Sequence, residues 1–149
     1  MARTRKDPRH RAREAALQIL YQWEIGGRAV EQSAETFFTR QWPDGDEAPE
    51  ALRAFATRLA IDTVDRLGEI DPLIADTAQR WRPERMPVLD RLILRMATCE
   101  MLRGGEAAPP VVINEALELA RTFSTEESVK FINGMLDTIR MKIAATGPL

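Results

Sequence analysis

The sequence has few of the residues that build disulfides and metal centres. Its 149 residues include one histidine, His10, and one cysteine, Cys99. A single thiol cannot form an internal disulfide, and one histidine with one cysteine cannot supply the usual ligands of a zinc site. We therefore expect no metal or cofactor, and a reducing compartment. Since Cys99 stands among Met96, Ala97 and Met101, it is expected to be a small buried hydrophobic side chain.

Long apolar runs and phosphate-binding loops are also missing. No run of about 18 apolar residues occurs, and the amino terminus lacks the apolar segment of a signal peptide. There is no glycine-rich motif of the P-loop or dinucleotide-binding type. The many carboxylates indicate solvated helix faces, with no apolar pair that would mark a general acid. We expect a cytoplasmic protein that is not an enzyme and does not enter a membrane.

Charge is distributed unevenly along the chain, although the net charge is only −2. Residues 1–13 hold six Lys or Arg against one Asp, a charge of +5, and the remainder holds 15 against 22, a charge of −7. Residues 1–8 are expected to form a flexible basic arm. Such an arm suits an RNA backbone, and the plainer alternative is a disordered tail that keeps the protein in solution.

Apolar residues recur at helical spacing, and strand-like alternation between hairpin turns is absent. The pattern predicts an all-α fold, a compact bundle of about seven helices, as one domain over residues 1–149 or two small subdomains sharing a core. The expected helices are Pro8–Ile25, Val30–Trp42, Glu50–Leu67, Pro72–Trp81, Pro87–Arg103, Pro110–Phe123 and Thr125–Ala144. Asp71-Pro72 is expected to begin the fourth helix, and Ser124 with Glu127 to form a capping box for the last.

Two aromatic residues fall away from the apolar stripes of their helices. Tyr21 lies on the flank of the first helix, where it could meet a second layer of helices or anchor a partner. In the last helix Phe131 lies beside Lys130, and it could belong to a wide apolar face or form a stacking platform for an unpaired base. Gly134 interrupts the same helical pattern, which suggests that another backbone approaches closely there.

Three segments of the chain closely resemble the NusB family of bacterial transcription antitermination factors. They are "RHRAREAALQILYQWEI", "DRLILRMATCEM" and "VVINEALELARTFSTEESVKFINGMLD". The most specific motif is Ile113–Ala116 followed at a fixed interval by Lys130-Phe131-x-Asn133-Gly134. The resemblance covers nearly the whole chain, and the motifs occur in the family's order.

The resemblance implies two packed helical bundles that bind the boxA element of ribosomal RNA operon leaders. It further implies binding together with NusE, a small-subunit ribosomal protein, and a link to RNA polymerase through other Nus factors. The residues assigned to single-stranded RNA are Arg9, His10, Arg11, Arg13, Lys130 and Phe131. The residues assigned to the NusE-facing side are Tyr21, Asp90 and Glu127. His10 replaces an arginine of some relatives, and Glu127 replaces the usual aspartate with a longer side chain.

Two other functions remain alternatives. The chain could be a helical protein–protein adaptor whose basic tail is incidental, or a ribosome-maturation factor that uses the same RNA site. NusB-like domains also occur fused to ribosomal RNA cytosine methyltransferases. Because the chain ends near Leu149, we expect the free-standing factor.

Overall fold

The structure is a computed structural model that describes residues 8–43, 45–78, 85–105 and 107–146. These residues form seven α-helices and no strand, so the predicted all-α class is confirmed. The helices are α1 Pro8–Gly26, α2 Val30–Thr36, α3 Glu50–Asp65, α4 Leu67–Thr77, α5 Val88–Arg103, α6 Pro109–Phe123 and α7 Glu126–Thr146. Most of the predicted basic arm lies outside the described residues, and Pro8 already belongs to α1. None of the described helices combines the length and apolar character needed to cross a membrane.

The chain divides between Val64 and Asp65 into two compact units. The amino-terminal unit contains α1, α2 and all of α3 except its last residue, and the carboxy-terminal unit contains α4 to α7. In the amino-terminal unit α1 packs against α2. In α1 Ala12, Ala16 and Ile19, spaced i, i+4 and i+7, form one fully buried stripe.

A π-helical turn, Phe37–Gln41, continues α2 without a break. The helix predicted to reach Trp42 is therefore continuous, but its last turn is wider than an α-helical turn. Phe37 and Phe38 are both buried, and their rings meet edge to face with centroids 5.0 Å apart. The Trp42 ring lies 5.6 Å from Phe38, which closes a three-ring aromatic cluster at the end of this segment.

Helix α5 is the central helix of the carboxy-terminal unit and contacts α4, α6 and α7. Every residue from Asp90 to Met101 is buried, so the helix has no solvent-facing stripe over three turns. It ends at Arg103 and is capped by Gly104, whose φ of +63° is the left-handed conformation that glycine adopts without steric cost. The Gly104 N–H donates to the Glu100 carbonyl at 3.2 Å and satisfies one of the last carbonyl groups.

Charged residues inside α5 need partners, because an unpaired buried charge is costly. The Arg95 guanidinium donates two hydrogen bonds of 2.9 Å to the two carboxylate oxygens of Asp71 in α4. The Arg91 guanidinium donates to the Met86 carbonyl at 3.4 Å, just before the helix begins. These contacts join α5 to α4 and to the segment that precedes it.

The prediction that Asp71-Pro72 begins the fourth helix is wrong. Helix α4 begins at Leu67, where the Arg66 carbonyl accepts hydrogen bonds from Glu69 and Ile70, and Pro72 lies inside the helix. The Asp71 carboxylate accepts from Arg95 in α5 instead of capping a helix amino terminus. A tertiary ion pair thus overrides a local signal. The helix ends at Thr77, and its predicted end at Trp81 lies outside the described residues.

The predicted capping box of Ser124 and Glu127 is also wrong, by one residue. Thr125 caps α7, because its Oγ1 accepts the Ser128 N–H at 3.0 Å. Ser124 Oγ instead donates to the Asp90 carboxylate at 2.7 Å. The α7 helix therefore begins at Glu126.

Loss of the ion pair between α4 and α5 should destabilise the fold. We expect Asp71→Ala to lower the free energy of unfolding by about 1–3 kcal/mol, because the nearly buried Arg95 loses a bidentate carboxylate. The matched control is Asp76→Ala, which removes the exposed contact to Lys142 and should cost less than about 1 kcal/mol. Urea unfolding followed by circular dichroism measures both, and equal losses would contradict the importance of Arg95–Asp71.

Candidate nucleic-acid and partner surfaces

The start of α1 presents arginines whose guanidinium groups lie over an aromatic ring of α3. Arg9 and Arg13 are four residues apart and therefore lie on one side of the helix. Their guanidinium carbons lie 4.6 Å and 5.3 Å from the centroid of the Phe55 ring. Both distances are within the range of a cation–π interaction, so one ring is shared by two cations.

Arg11 and His10 belong to the same part of α1 and contact one carboxylate. The Arg11 guanidinium lies 5.0 Å from the Trp42 ring centroid, and its Nε lies 3.9 Å from Glu14. His10 Nε2 lies 3.4 Å from the other Glu14 oxygen, an ion pair when the imidazole is protonated. Glu14 thus offsets part of the positive charge of this surface.

Burial separates the arginines into two groups. Arg9 is exposed and Arg11 is partly exposed, so both present donors at the surface. Arg13 is only 4% exposed. A side chain with so little exposed area is poorly placed for the direct RNA contact that the resemblance implies for it. Arg13 lies beneath this surface, against the Phe55 ring.

The second predicted surface lies on α7 in the carboxy-terminal unit. Glu127, Lys130, Phe131 and Gly134 follow the spacing i, i+3, i+4 and i+7, so they form one stripe along the helix. Glu127 and Lys130 are exposed, and Phe131 is half-buried. The Phe131 ring is thus neither sealed in the core nor fully projecting, and a cation lies next to it on the same stripe.

The expectation that a backbone packs closely against Gly134 is wrong. The residue is exposed, and a Cβ built on it meets no atom of the described residues within 4 Å. The glycine therefore leaves a bare patch of helix one turn after Lys130 and Phe131. Glycine does not stabilise α7 at this position, because it is a weak helix former.

Tyr21 lies on the surface of the amino-terminal unit, as its position off the core stripe predicts. The residue is 43% exposed and borders an open groove of about 450 Å³. Ile25, one turn further along α1, is 61% exposed and lines the same groove. The remaining lining residues are mainly polar: Gln22, Gly26, Arg28, Ser33, Thr36 and Gln41. The groove is thus lined by two large, partly apolar side chains and by several residues that can form hydrogen bonds.

Asp90 lies beneath the surface of the carboxy-terminal unit. It is 3% exposed, and its carboxylate accepts hydrogen bonds from Ser124 at 2.7 Å and Ser128 at 2.6 Å. A group this buried offers a partner almost no area. Its contacts instead fix the junction of α6 and α7, immediately before the exposed Glu127.

Sequence reasoning missed Phe55 and Trp42, the rings that hold the arginines. Phe55 is 42 or more residues away from either arginine it contacts, and no local pattern relates them. Only the arrangement of helices brings the side chains together. Among the described residues, no group of three or more His, Cys, Asp or Glu side chains could hold a metal ion.

Comparison with known proteins gives a consistent result over most of the chain. A model of the NusB family matches residues 10–140. The chain is 48% identical over 135 residues to the transcription antitermination protein NusB of Solibacter usitatus, which covers 91% of this chain and 90% of that protein.

Solved structures of similar fold include NusB of T. maritima. That structure has a TM-score of 0.81 and 33% sequence identity, and the match covers 93% of this chain and 94% of that chain. A complex of antitermination factors NusB and NusE with dsRNA matches with a TM-score of 0.74, over 91% of this chain and 97% of that chain. Its 22% identity supports the likeness of fold alone.

Filling the bare patch on α7 should stabilise the protein. Gly134→Ala is expected to raise the free energy of unfolding by roughly 0.5–1 kcal/mol, because alanine favours the helix and its methyl group meets no neighbour. Gly104→Ala is the matched control and should lower stability, since its φ of +63° strains a residue with a Cβ. Chemical denaturation measures both variants. A loss of stability in Gly134→Ala would show that the patch is packed after all.

Removing the Asp90 carboxylate should weaken the junction of α6 and α7. Asp90→Ala is expected to lower the free energy of unfolding by about 1–3 kcal/mol, because two hydroxyl donors lose a shared acceptor in a buried setting. Asp137→Ala, at an exposed acid of α7, should change stability by no more than about 0.5 kcal/mol. Thermal unfolding measures both variants, and equal Tm values for Asp90→Ala and Asp137→Ala would contradict this role of Asp90.

Proposed function

The chain belongs to the NusB family, and from that premise we propose that it is a non-enzymatic transcription antitermination factor. It binds the boxA element of ribosomal RNA operon leaders together with the ribosomal protein NusE. Other Nus factors connect this assembly to RNA polymerase in the cytoplasm. The same RNA surface would also serve a role in ribosome maturation.

RNA binding is supported by arginines that lie over aromatic rings on α1, and by an exposed lysine that is next in sequence to a half-buried phenylalanine on α7. On α1, Arg9 and Arg11 lie against rings and remain at least partly exposed. On α7, exposed Lys130 lies beside half-buried Phe131. Guanidinium groups bind phosphates at their edges, and an accessible ring face stacks on an unpaired base.

This combination favours single-stranded RNA. A base can stack on Phe131 only when it is not enclosed in a duplex, and arginine can hold phosphates of either form. The bare backbone at Gly134 leaves room for a nucleotide to approach the same stripe of α7. We assign no base-specific contact to His10, which is largely buried against Glu14 and contributes charge only when protonated.

Each unit offers one proposed contact to NusE: Tyr21 in the amino-terminal unit and Glu127 in the carboxy-terminal unit. Tyr21 and Ile25 border the groove of the amino-terminal unit, which suits an apolar side chain of NusE with polar groups around it. Glu127 offers an exposed negative charge to a basic ribosomal protein. Asp90 contributes indirectly, because its hydrogen bonds to Ser124 and Ser128 hold the start of α7.

RNA titrations at several salt concentrations test the proposal. With a short single-stranded boxA RNA, Arg9→Ala should lower the slope of log affinity against log salt by about 0.7 for one lost phosphate contact. Phe131→Ala should cost roughly 1–3 kcal/mol of binding and leave that slope nearly unchanged, because stacking is not ionic. Fluorescence anisotropy of labelled RNA measures both effects.

The controls are an exposed arginine and an exposed apolar residue on α6, a helix that carries no proposed contact. Arg121→Ala and Val111→Ala should bind RNA as the unaltered protein does. Adding purified NusE should strengthen RNA binding, and Tyr21→Ala should reduce that gain. NusE binding without any gain in RNA affinity would favour the protein–protein adaptor, and equal affinity for duplex RNA would contradict the stacking role of Phe131.

A further inference from the structure

The Phe55 ring connects a buried arginine with an exposed one. Phe55 is half-buried in α3, where its ring is shared by the guanidinium groups of Arg9 and Arg13. Arg13 has almost no exposed surface, whereas Arg9 is exposed. The ring thus holds the arginine that reaches solvent, and the buried arginine on the same ring helps to fix the ring.

Stacking on a ring and binding a phosphate use different parts of a guanidinium. When a guanidinium stacks on a ring, its planar face lies against the ring, and the N–H donors that bind phosphate project from its edge. An arginine that stacks on Phe55 can therefore bind phosphate without leaving the ring. Because its side chain is already ordered, less rotamer entropy is lost when the phosphate arrives.

We propose that Phe55 is a positioning residue of the RNA surface: its ring holds Arg9 in the orientation in which that arginine meets an RNA phosphate. This inference rests on the proposed function, since it requires that Arg9 contacts RNA. It adds a residue from a different helix, and one that itself touches no nucleotide.

Substitution of the ring by an aliphatic side chain separates positioning from packing. Phe55→Leu keeps an apolar side chain in the half-buried site but removes the cation–π contact. Its affinity for a single-stranded boxA RNA should fall about 2- to 5-fold, the equivalent of a partly exposed cation–π interaction. Phe55→Tyr keeps the ring and should restore binding. Phe123→Leu, at a half-buried phenylalanine of α6, is the matched control and should leave RNA affinity unchanged.

A double-mutant cycle tests whether the effect passes through Arg9. In the Arg9→Ala background, Phe55→Leu should cause little further loss, because the group that the ring positions is gone. Nuclear magnetic resonance of the RNA-free protein supplies a second measurement. The Arg9 side-chain protons should show upfield ring-current shifts that disappear in Phe55→Leu and persist in Phe55→Tyr.

The outcomes distinguish this inference from the proposed function. If Arg9→Ala weakens RNA binding but Phe55→Leu does not, the positioning role is overturned and the RNA surface stands. If Phe55→Leu weakens binding equally with and without Arg9, or Phe55→Tyr fails to restore it, the ring serves packing alone and the inference is wrong. If neither Arg9→Ala nor Phe55→Leu alters binding, the proposed RNA surface on α1 itself fails.

Discussion

The hydrogen bonds of the Asp90 carboxylate connect the start of α7 to α5. Asp90 is buried at the start of α5 and binds the hydroxyl groups of Ser124 and Ser128, which stand on either side of the α7 cap. Since α5 is buried over three turns, it provides a rigid base for this contact. The buried Asp90 carboxylate therefore helps to position the stripe of α7 that includes Lys130 and Phe131.

The helical fold could be predicted because apolar periodicity and helix-ending residues agree over most of the chain. The first helix was expected at Pro8–Ile25 and occupies Pro8–Gly26. The errors arise where a side chain has a tertiary partner: Asp71 binds Arg95 instead of capping a helix, and Ser124 binds Asp90 instead of α7. Local rules cannot include a competing partner that lies elsewhere in the sequence.

The candidate site could be predicted only in part, for a related reason. Helical projection placed Tyr21 off the core stripe of α1 and left open whether a second layer of helices covers it; its exposure shows that its side chain is largely uncovered. The projection could not separate Arg13 from Arg9, because both lie on one side of α1 and differ only in what covers them. The resemblance to the family assigns roles to residues from the sequence alone. Which of those side chains can contact a ligand depends on burial, and burial is known only from the structure.

The π-helical turn at Phe37–Gln41 links backbone register to surface chemistry. Such a turn accommodates one residue more than an α-helical turn, and each residue of an α-helix rotates the chain by about 100°. Deleting one residue here would let α2 continue as a regular helix and would turn Trp42 away from the Arg11 guanidinium that it now faces. A one-residue insertion or deletion at this point would therefore change the contact between Arg11 and Trp42 without replacing either residue.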